Sequence, residues 1–439
     1  VPGVLCKEVV VAKRNKKKVE QKSDHLGRPV AADSLMASVV VDMETKLGKK
    51  DCLIGKQSLS RVIPVPSLAF RYVIQSEGLP LSSIYQLVGS PGSFKSTMLA
   101  EVQRWHRICG GLNVTMEAET KDQADLRWAI LNHDYSSCKV EECLTLEEWM
   151  QKVTWYIQTL QKKMDADEHA GRSVPVCLGV DSLTGKASEK TAKKIRETGH
   201  AQLGFAIEAN MIKTYMQVMP SWLLGWPFNF VGINHLKIHQ DPLTGLIDEG
   251  IAGGWALKFQ CLCIFIMSRL GRVQQKKTHN EANVRIETYK NNMGPDRLRC
   301  EVKLTTWNKR DDETGELRTQ ARFEWWESSV LLLFKGVGMR KALADSLLPQ
   351  IKEVCDFHEK AGGSLGKLYW STRLGVPSSD AMRAHELGLM LEERKDILDE
   401  LYPVLGIKTR KFFEPGVDYM NQLEAAEAAE LVQATEEVE

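Results

Sequence analysis

Between residues 61 and about 330, short apolar runs recur with amphipathic stretches between them. The runs are Ile84–Val88, Leu112–Met116, Val174–Val180, Phe228–Ile233, Leu262–Met267, Val284–Tyr289 and Cys300–Leu304. Apolar runs of this length, bounded by polar turns, read as strands. Their alternation with helix-like stretches predicts an α/β fold around a mostly parallel, twisted sheet. Glu147–Met164 reads as a helix with Trp149, Trp155 and Leu160 on or near one face. Asp311–Glu316 reads as a polar turn at a hairpin tip. After residue 336 the rhythm turns helical over Lys341–His358, Ser379–Leu391 and Glu393–Leu401, which predicts a small helical domain. Ahead of Pro64 and Pro66 the pattern is mixed, with a helix-like piece near Ala32–Lys46 and then a Gly/Ser-rich stretch. No internal repeat is visible.

The chain has 439 residues, enough for about two or three domains. With 43% hydrophobic and 26% charged residues it reads as a folded, soluble protein. The net charge of +1 hides an asymmetry. Lys13, Arg14, Lys16, Lys17, Lys18 and Lys22 form a basic arm, whereas residues 424–439 carry six glutamates and no basic residue. Such ends suit a protein that handles nucleic acid, or are simply solvated. The segments are therefore 1–60, 61–335, 336–423 and an acidic tail, 424–439. The ten cysteines show no CxxC or Cys/His ligand spacing and read as reduced thiols. Cys261 and Cys263 are expected to share one face of a buried strand. No secretory pattern and no run of eighteen apolar residues occurs, so the expected location is intracellular, without a membrane partner.

The most informative stretch is Gly89-Ser90-Pro91-Gly92-Ser93-Phe94-Lys95-Ser96-Thr97, which follows a strand and opens a helix-like segment. That is the layout of a phosphate-binding loop, except that Phe94 stands where the pattern asks for glycine. Backbone N–H groups of such a loop cradle phosphates, Lys95 would reach the β- and γ-phosphates, and Ser96 would ligate Mg²⁺. Three more strands end in polar groups. Leu112–Met116 leads into Glu117 and Glu119, and Glu119 could polarise an attacking water. Val176–Val180 ends in Asp181, a Walker-B arrangement whose carboxylate supports Mg²⁺ through water. Phe230–Ile233 ends in Asn234 and His235, where a polar side chain could sense the γ-phosphate.

In this order the pieces resemble RecA-family recombinases over roughly residues 61–305. Gly253-Gly254-Trp255-Ala256-Leu257-Lys258-Phe259 looks like the segment that closes the family's second DNA-binding loop. Tyr289-Lys290-Asn291-Asn292 is similar to the stretch that reaches the ATP of an adjacent subunit. Phe94 and Asn234-His235 point to the UvsX-like recombinases of tailed bacteriophages. The resemblance implies a RecA-like P-loop ATPase core, an oligomerising N-terminal region and a C-terminal helical domain. It implies ATP and Mg²⁺ as cofactors, with Lys95, Ser96 and Thr97 on the phosphates and metal, Glu119 as general base and Asp181 as Walker-B acid. His235 would stand in for a γ-phosphate-sensing Gln, and Lys290 would act in trans. Asn292 stands where bacterial RecA has a second interface lysine.

DNA would enter by two segments that the resemblance marks. Lys186–Gly204 carries Lys190, Lys193, Lys194 and Arg196, and a second loop from Leu236 to Ala252 carries Lys237 and ends against Gly253 and Gly254. The implied activity is a DNA-dependent ATPase that forms filaments on single-stranded DNA and pairs it with double-stranded DNA by strand exchange. Its partners would be both DNA forms, further copies of itself, and single-strand-binding and loader proteins. Its location would be the cytoplasm of a phage-infected bacterium. Two rivals remain open at this point: a hexameric helicase of the same core, and a DNA-coating filament with a weak ATPase.

Overall fold

The computed structural model describes residues 61–119, 138–166, 174–199, 204–240, 247–251, 255–310, 317–363 and 366–412. The basic arm, the Ala32–Lys46 piece, the Asp311–Glu316 turn, Gly253, Gly254 and the acidic tail lie outside these residues.

The chain enters through β1 (Arg61–Pro64), α1 (Leu68–Ile74), β2 (Gly78–Pro80) and β3 (Ser83–Gly89). It continues with α2 (Lys95–Ile108), β4 (Leu112–Glu117), β5 (Cys138–Glu142), α3 (Leu146–Ala166) and β6 (Val176–Asp181). Then come α4 (Glu189–Thr198), α5 (Gly204–Leu223), β7 (Phe228–Gln240), β8 (Ile247–Ile251) and α6 (Trp255–Gln260). A meander of β9 (Cys263–Gln275), β10 (Asn280–Asn291), β11 (Arg299–Arg310) and β12 (Leu317–Phe323) follows. The C-terminal part is α7 (Trp325–Lys335), α8 (Lys341–Cys355), β13 (Phe357–Ala361), β14 (Lys367–Ser371), α9 (Ala384–Glu393), α10 (Lys395–Leu405) and β15 (Lys411–Phe412).

The result is an α/β protein with a large mixed, mostly parallel central sheet. Its strand order is β12-β11-β10-β9-β3-β7-β6-β4-β5, with β8 paired to β7. Every pair from β5 to β9 is parallel, and the pairs from β9 to β12 are antiparallel. All seven strands expected from the apolar runs are present, and β3 and β6 are buried at every position. That burial explains why they read as continuous apolar runs: helices cover both faces. Tyr85 and Leu87 of β3 join a cluster with α1, α2 and the C-terminal helices, whereas Ile84 and Val88 join one with α3 and α5.

Helix α2 crosses its face of the sheet on a diagonal. A Cβ on Gly179 of β6 would come 3.1 Å from Leu99, so the helix lies close over that strand. Farther along, Gln103 Nε2 donates to Thr115 Oγ1 of β4 at 2.7 Å, and Asn113 Nδ2 donates to the Gln103 carbonyl at 3.1 Å. Both contacts are buried, so shifting the helix would strand polar groups at about 1–3 kcal/mol each.

Three sequence expectations change. Helix α3 buries Trp149, Val153 and Ile157, one side at i, i+4 and i+8, while Trp155 is 58% exposed. Six residues turn a helix by about 240° beyond a full turn, away from the Trp149 stripe. Cys261 and Cys263 are both buried but sit in different core clusters, Cys261 with α3 and α5 and Cys263 with α1 and α2. The strand begins only at Cys263, so its two-residue period does not reach back to Cys261. The helix from Lys341 ends at Cys355, where Asp356 takes a left-handed conformation (φ 47) and its N–H caps the Lys352 carbonyl. His358 therefore lies in β13, which pairs antiparallel with β14, and the C-terminal part mixes helices with a small sheet.

That part is tied to the core by a buried ion pair. Arg71 of α1 and Glu392 of α9 meet at 2.7 Å, with side chains 6% and 1% exposed. Arg71 also donates to the Val65 carbonyl and to Tyr402 Oη, and Glu392 accepts from the Leu68 N–H. Burial pushes the Glu392 carboxyl above its ordinary pKa, and Arg71 opposes that shift. Removing one partner leaves an uncompensated buried charge. Glu392→Ala is therefore expected to cost about 3–5 kcal/mol in urea unfolding, and the double change Arg71→Met with Glu392→Leu to recover most of it. A Glu392→Ala cost under about 1 kcal/mol would show that the pair does not anchor the C-terminal part.

Candidate functional site at the carboxyl edge of the sheet

The carboxyl ends of β3, β7, β6 and β4 form one row, the edge at which open parallel sheets place their ligand sites. β3 runs out at Gly89 and α2 begins at Lys95, with the phosphate-loop candidate between them. Gly89 cannot be another residue without rebuilding the loop. A Cβ there would lie 2.4 Å from Ser93 Oγ and 2.5 Å from the Met267 carbonyl oxygen. Ser93 is buried, while Ser90, Pro91 and Gly92 are exposed.

Phe94 resolves the one mismatch in the motif. Its backbone holds φ 64 and ψ 29, the left-handed conformation that glycine adopts freely. For a residue with a Cβ this costs about 1–2 kcal/mol. The half-buried ring packs against the α1–α2 core, and burial of that apolar surface offsets the strain. The Phe94 carbonyl still accepts the first helical bond, from Met98 N at 3.0 Å. The loop thus keeps a glycine-like backbone with a core-packing side chain.

Lys95 is 7% exposed, and its Nζ donates to the carbonyls of Gly89 (3.1 Å) and Ser90 (2.9 Å). Next to it, Ser96 Oγ donates to Asp181 Oδ2 at 2.6 Å, although the strands that deliver them are not neighbours. β7 lies between them and ends the parallel part of its run at Asn234 and His235, with His235 in register with Gly89. The His235 ring reaches over to β4: its Nε2–H donates to Glu119 Oε1 at 2.7 Å, and Ser182 Oγ lies 3.4 Å from the same nitrogen. Glu117, 4% exposed, accepts from the Glu119 N–H at 2.9 Å and so braces that turn. Asn234 Oδ1 accepts from the His235 N–H and from Thr184 Oγ1. The Asp181–Ser182 peptide is cis.

Lys95, Ser96, Asp181, Glu119 and His235 are therefore brought together, from positions spread over 140 residues of chain. A hydroxyl and a carboxylate at hydrogen-bond distance form a hard oxygen set that fits Mg²⁺ shared with phosphate oxygens. Among the described residues no group of three or more His, Cys, Asp or Glu could hold a metal by itself, and no helix is long and apolar enough to cross a membrane.

Lys290 is not brought to this row. It pairs through Ile264 with the level of Gln86, three residues (about 10 Å) back from Gly89 along the sheet. Its Nζ donates to the carbonyls of Phe259, in the last turn of α6, and Cys261, just after it, and burial holds its pKa below the ordinary lysine value. Asn292 is exposed beside it. The segment after Asp181 is an ordered helix, α4, capped by Ser188 and closed by Gly199 in the left-handed region. Lys190, Lys193 and Arg196 on it are exposed and Lys194 is half-buried. Lys193 lies 3.9 Å from Glu197. The second loop begins as a direct extension of β7, in which Lys237 is paired with Gly250 of β8. Two residues at the row carry no linear signal. Thr184 touches Asn234, and Arg269 of β9 stands with Nη1 3.8 Å from where a Cβ on Gly92 would be. Only the register of β9 against β3 could have found the latter.

No protein-family model matches this chain, and no curated protein matches it.

The strain at Phe94 is measurable. Phe94→Ala and Phe94→Gly both lose the ring, but only the alanine keeps the left-handed penalty. Phe94→Ala is expected to be less stable than Phe94→Gly by about 1 kcal/mol in urea unfolding. The reverse order would mean that residue 94 does not hold a positive φ in solution.

Proposed function

We propose that this chain is an ATP-dependent recombinase of the RecA-like class, a DNA-dependent ATPase that forms filaments on single-stranded DNA and carries out homologous pairing and strand exchange. The observation that carries the reading is the convergence of four strand ends: Ser96 on Asp181 at 2.6 Å, and Glu119 on His235 at 2.7 Å, beside a loop with a helix N-terminus. The loop N–H groups and Lys95 would bind the triphosphate. Ser96 directly, and Asp181 through water, would hold Mg²⁺, which supplies neutralisation of phosphate charge. Glu119 would take the proton of a water whose oxygen attacks the terminal phosphorus, with ADP leaving. His235 keeps the Glu119 carboxylate oriented and would read the terminal phosphate.

The DNA side of the proposal rests on what leaves this edge. α4 with its exposed cations follows Asp181, and the β7–β8 hairpin follows His235, so both candidate DNA segments begin at residues of the nucleotide row. Backbone phosphates bound there would be held without sequence preference. Lys290 lies below its own row, which fits a contact with the nucleotide of a neighbouring subunit in a filament. Single- and double-stranded DNA, and other copies of the chain, are the proposed partners.

ATP turnover with and without single-stranded DNA tests this reading. Wild type is expected to be stimulated by DNA, Lys95→Ala to lose nucleotide binding, and Glu119→Gln to bind ATP but turn it over about 10²–10⁴-fold more slowly. Electron microscopy with single-stranded DNA and a non-hydrolysable ATP analogue is expected to show extended helical filaments. Closed rings would favour a helicase, and filaments without DNA-stimulated turnover a coating protein.

A further inference from the structure

Arg269 belongs to none of the motifs. It lies on β9 two positions beyond Met267, the residue in register with Gly89 at the end of β3. Alternation puts its side chain on the same sheet face as Met267, and its cross-strand partner Val284 shares the core cluster of Met267 and α2. That is the face, and the end, at which α2 begins. The guanidinium accordingly stands over the outer turn of the loop, 3.8 Å from a Cβ position on Gly92. Arg269 and the loop residues Ser90, Pro91 and Gly92 are all exposed. The acids on the neighbouring strands are engaged elsewhere, Glu301 with Arg285 and Glu281 with Lys276 and His279. Among the described residues Arg269 itself has no ion pair.

We infer that Arg269 contacts the terminal phosphate of a bound nucleoside triphosphate and so distinguishes triphosphate from diphosphate at this loop. The inference rests on the nucleotide reading above. The loop's own cation is Lys95, whose ammonium is held low by two loop carbonyls. A triphosphate with one divalent cation still carries excess negative charge at its outer end. A guanidinium matches phosphate oxygens with two parallel hydrogen bonds, and an arginine supplied from the same chain is an established way to stabilise charge in phosphoryl transfer. Arg269 comes from a strand next to the loop in space and some 170 residues away in sequence, so no linear motif contains it.

The full-length protein with Mg²⁺ provides the test. Affinities for ATP and ADP are measured by competition with a fluorescent ADP analogue, in wild type, Arg269→Ala and Arg269→Lys. Arg269→Ala is expected to weaken ATP about tenfold or more and ADP less than about threefold, with Arg269→Lys in between. Retained ADP binding shows that the loop is intact in the variant. An ATP affinity unchanged in Arg269→Ala, or equal losses for ATP and ADP, overturns the assignment. So does a loss of affinity for single-stranded DNA with the ATP-to-ADP ratio unchanged, which would give Arg269 to the DNA backbone. Wild type that binds neither nucleotide would refute the nucleotide reading and the inference with it, whereas ATP binding indifferent to Arg269 refutes the inference alone.

Discussion

Ser96 and Asp181 touch although a whole strand separates the strands that deliver them. That contact depends on the tilt of α2. A helix running parallel to β3 would keep Ser96 above β3 and leave Asp181 alone at the end of β6. The tilt comes from packing and polar satisfaction along the rest of the helix: Leu99 lies over the missing side chain of Gly179, and the Gln103 amide is spent on Thr115 of β4. The candidate metal ligands are thus set by contacts about one and two helical turns away from Ser96. The same crossing leaves room for β7 to emerge between them and present His235.

The candidate chemistry was largely legible in the chain because strands that are buried on both faces write themselves as unbroken apolar runs, and four of the seven runs lead within three residues to Gly89, Glu119, Asp181 and His235 respectively. What the linear order hides is lateral. That β7 lies between β3 and β6 cannot be read from hydropathy: the motifs predict the shared phosphate and metal roles of these residues, but not the direct contacts of Glu119 with His235 and of Ser96 with Asp181. Arg269 and Lys290 sit on strands joined to β3 only through register. The C-terminal hairpin escaped because a single left-handed residue, Asp356, turns a helical pattern into a strand at His358. Trp155 leaves the expected face because spacing and not side-chain size decides the buried stripe, which runs through Trp149, Val153 and Ile157.

Phe94 shows how a motif can lose its defining residue and keep its geometry. The loop needs a positive φ at that position, which glycine meets through lack of a side chain. Phenylalanine meets it by gaining enough buried surface to hold the same backbone. The two solutions differ in stiffness. A glycine there would let the loop relax when the helix moves, whereas a phenylalanine anchored in the α1–α2 core couples the loop's shape to that core, and through Arg71 and Glu392 to the C-terminal part.

β7 is thirteen residues of uninterrupted strand, of which the first half lies inside the parallel sheet and the last part pairs only with β8. β6 pairs with β7 only as far as Gly232, and β3 as far as His235. Mechanically this is a cantilever: a beam clamped by β3 up to His235 and, among the described residues, paired beyond it with its hairpin partner alone. A transverse load on such a beam concentrates bending at the clamp. Whatever grips the hairpin therefore deflects the backbone most at the residue whose ring holds Glu119, and no loop intervenes to absorb the motion.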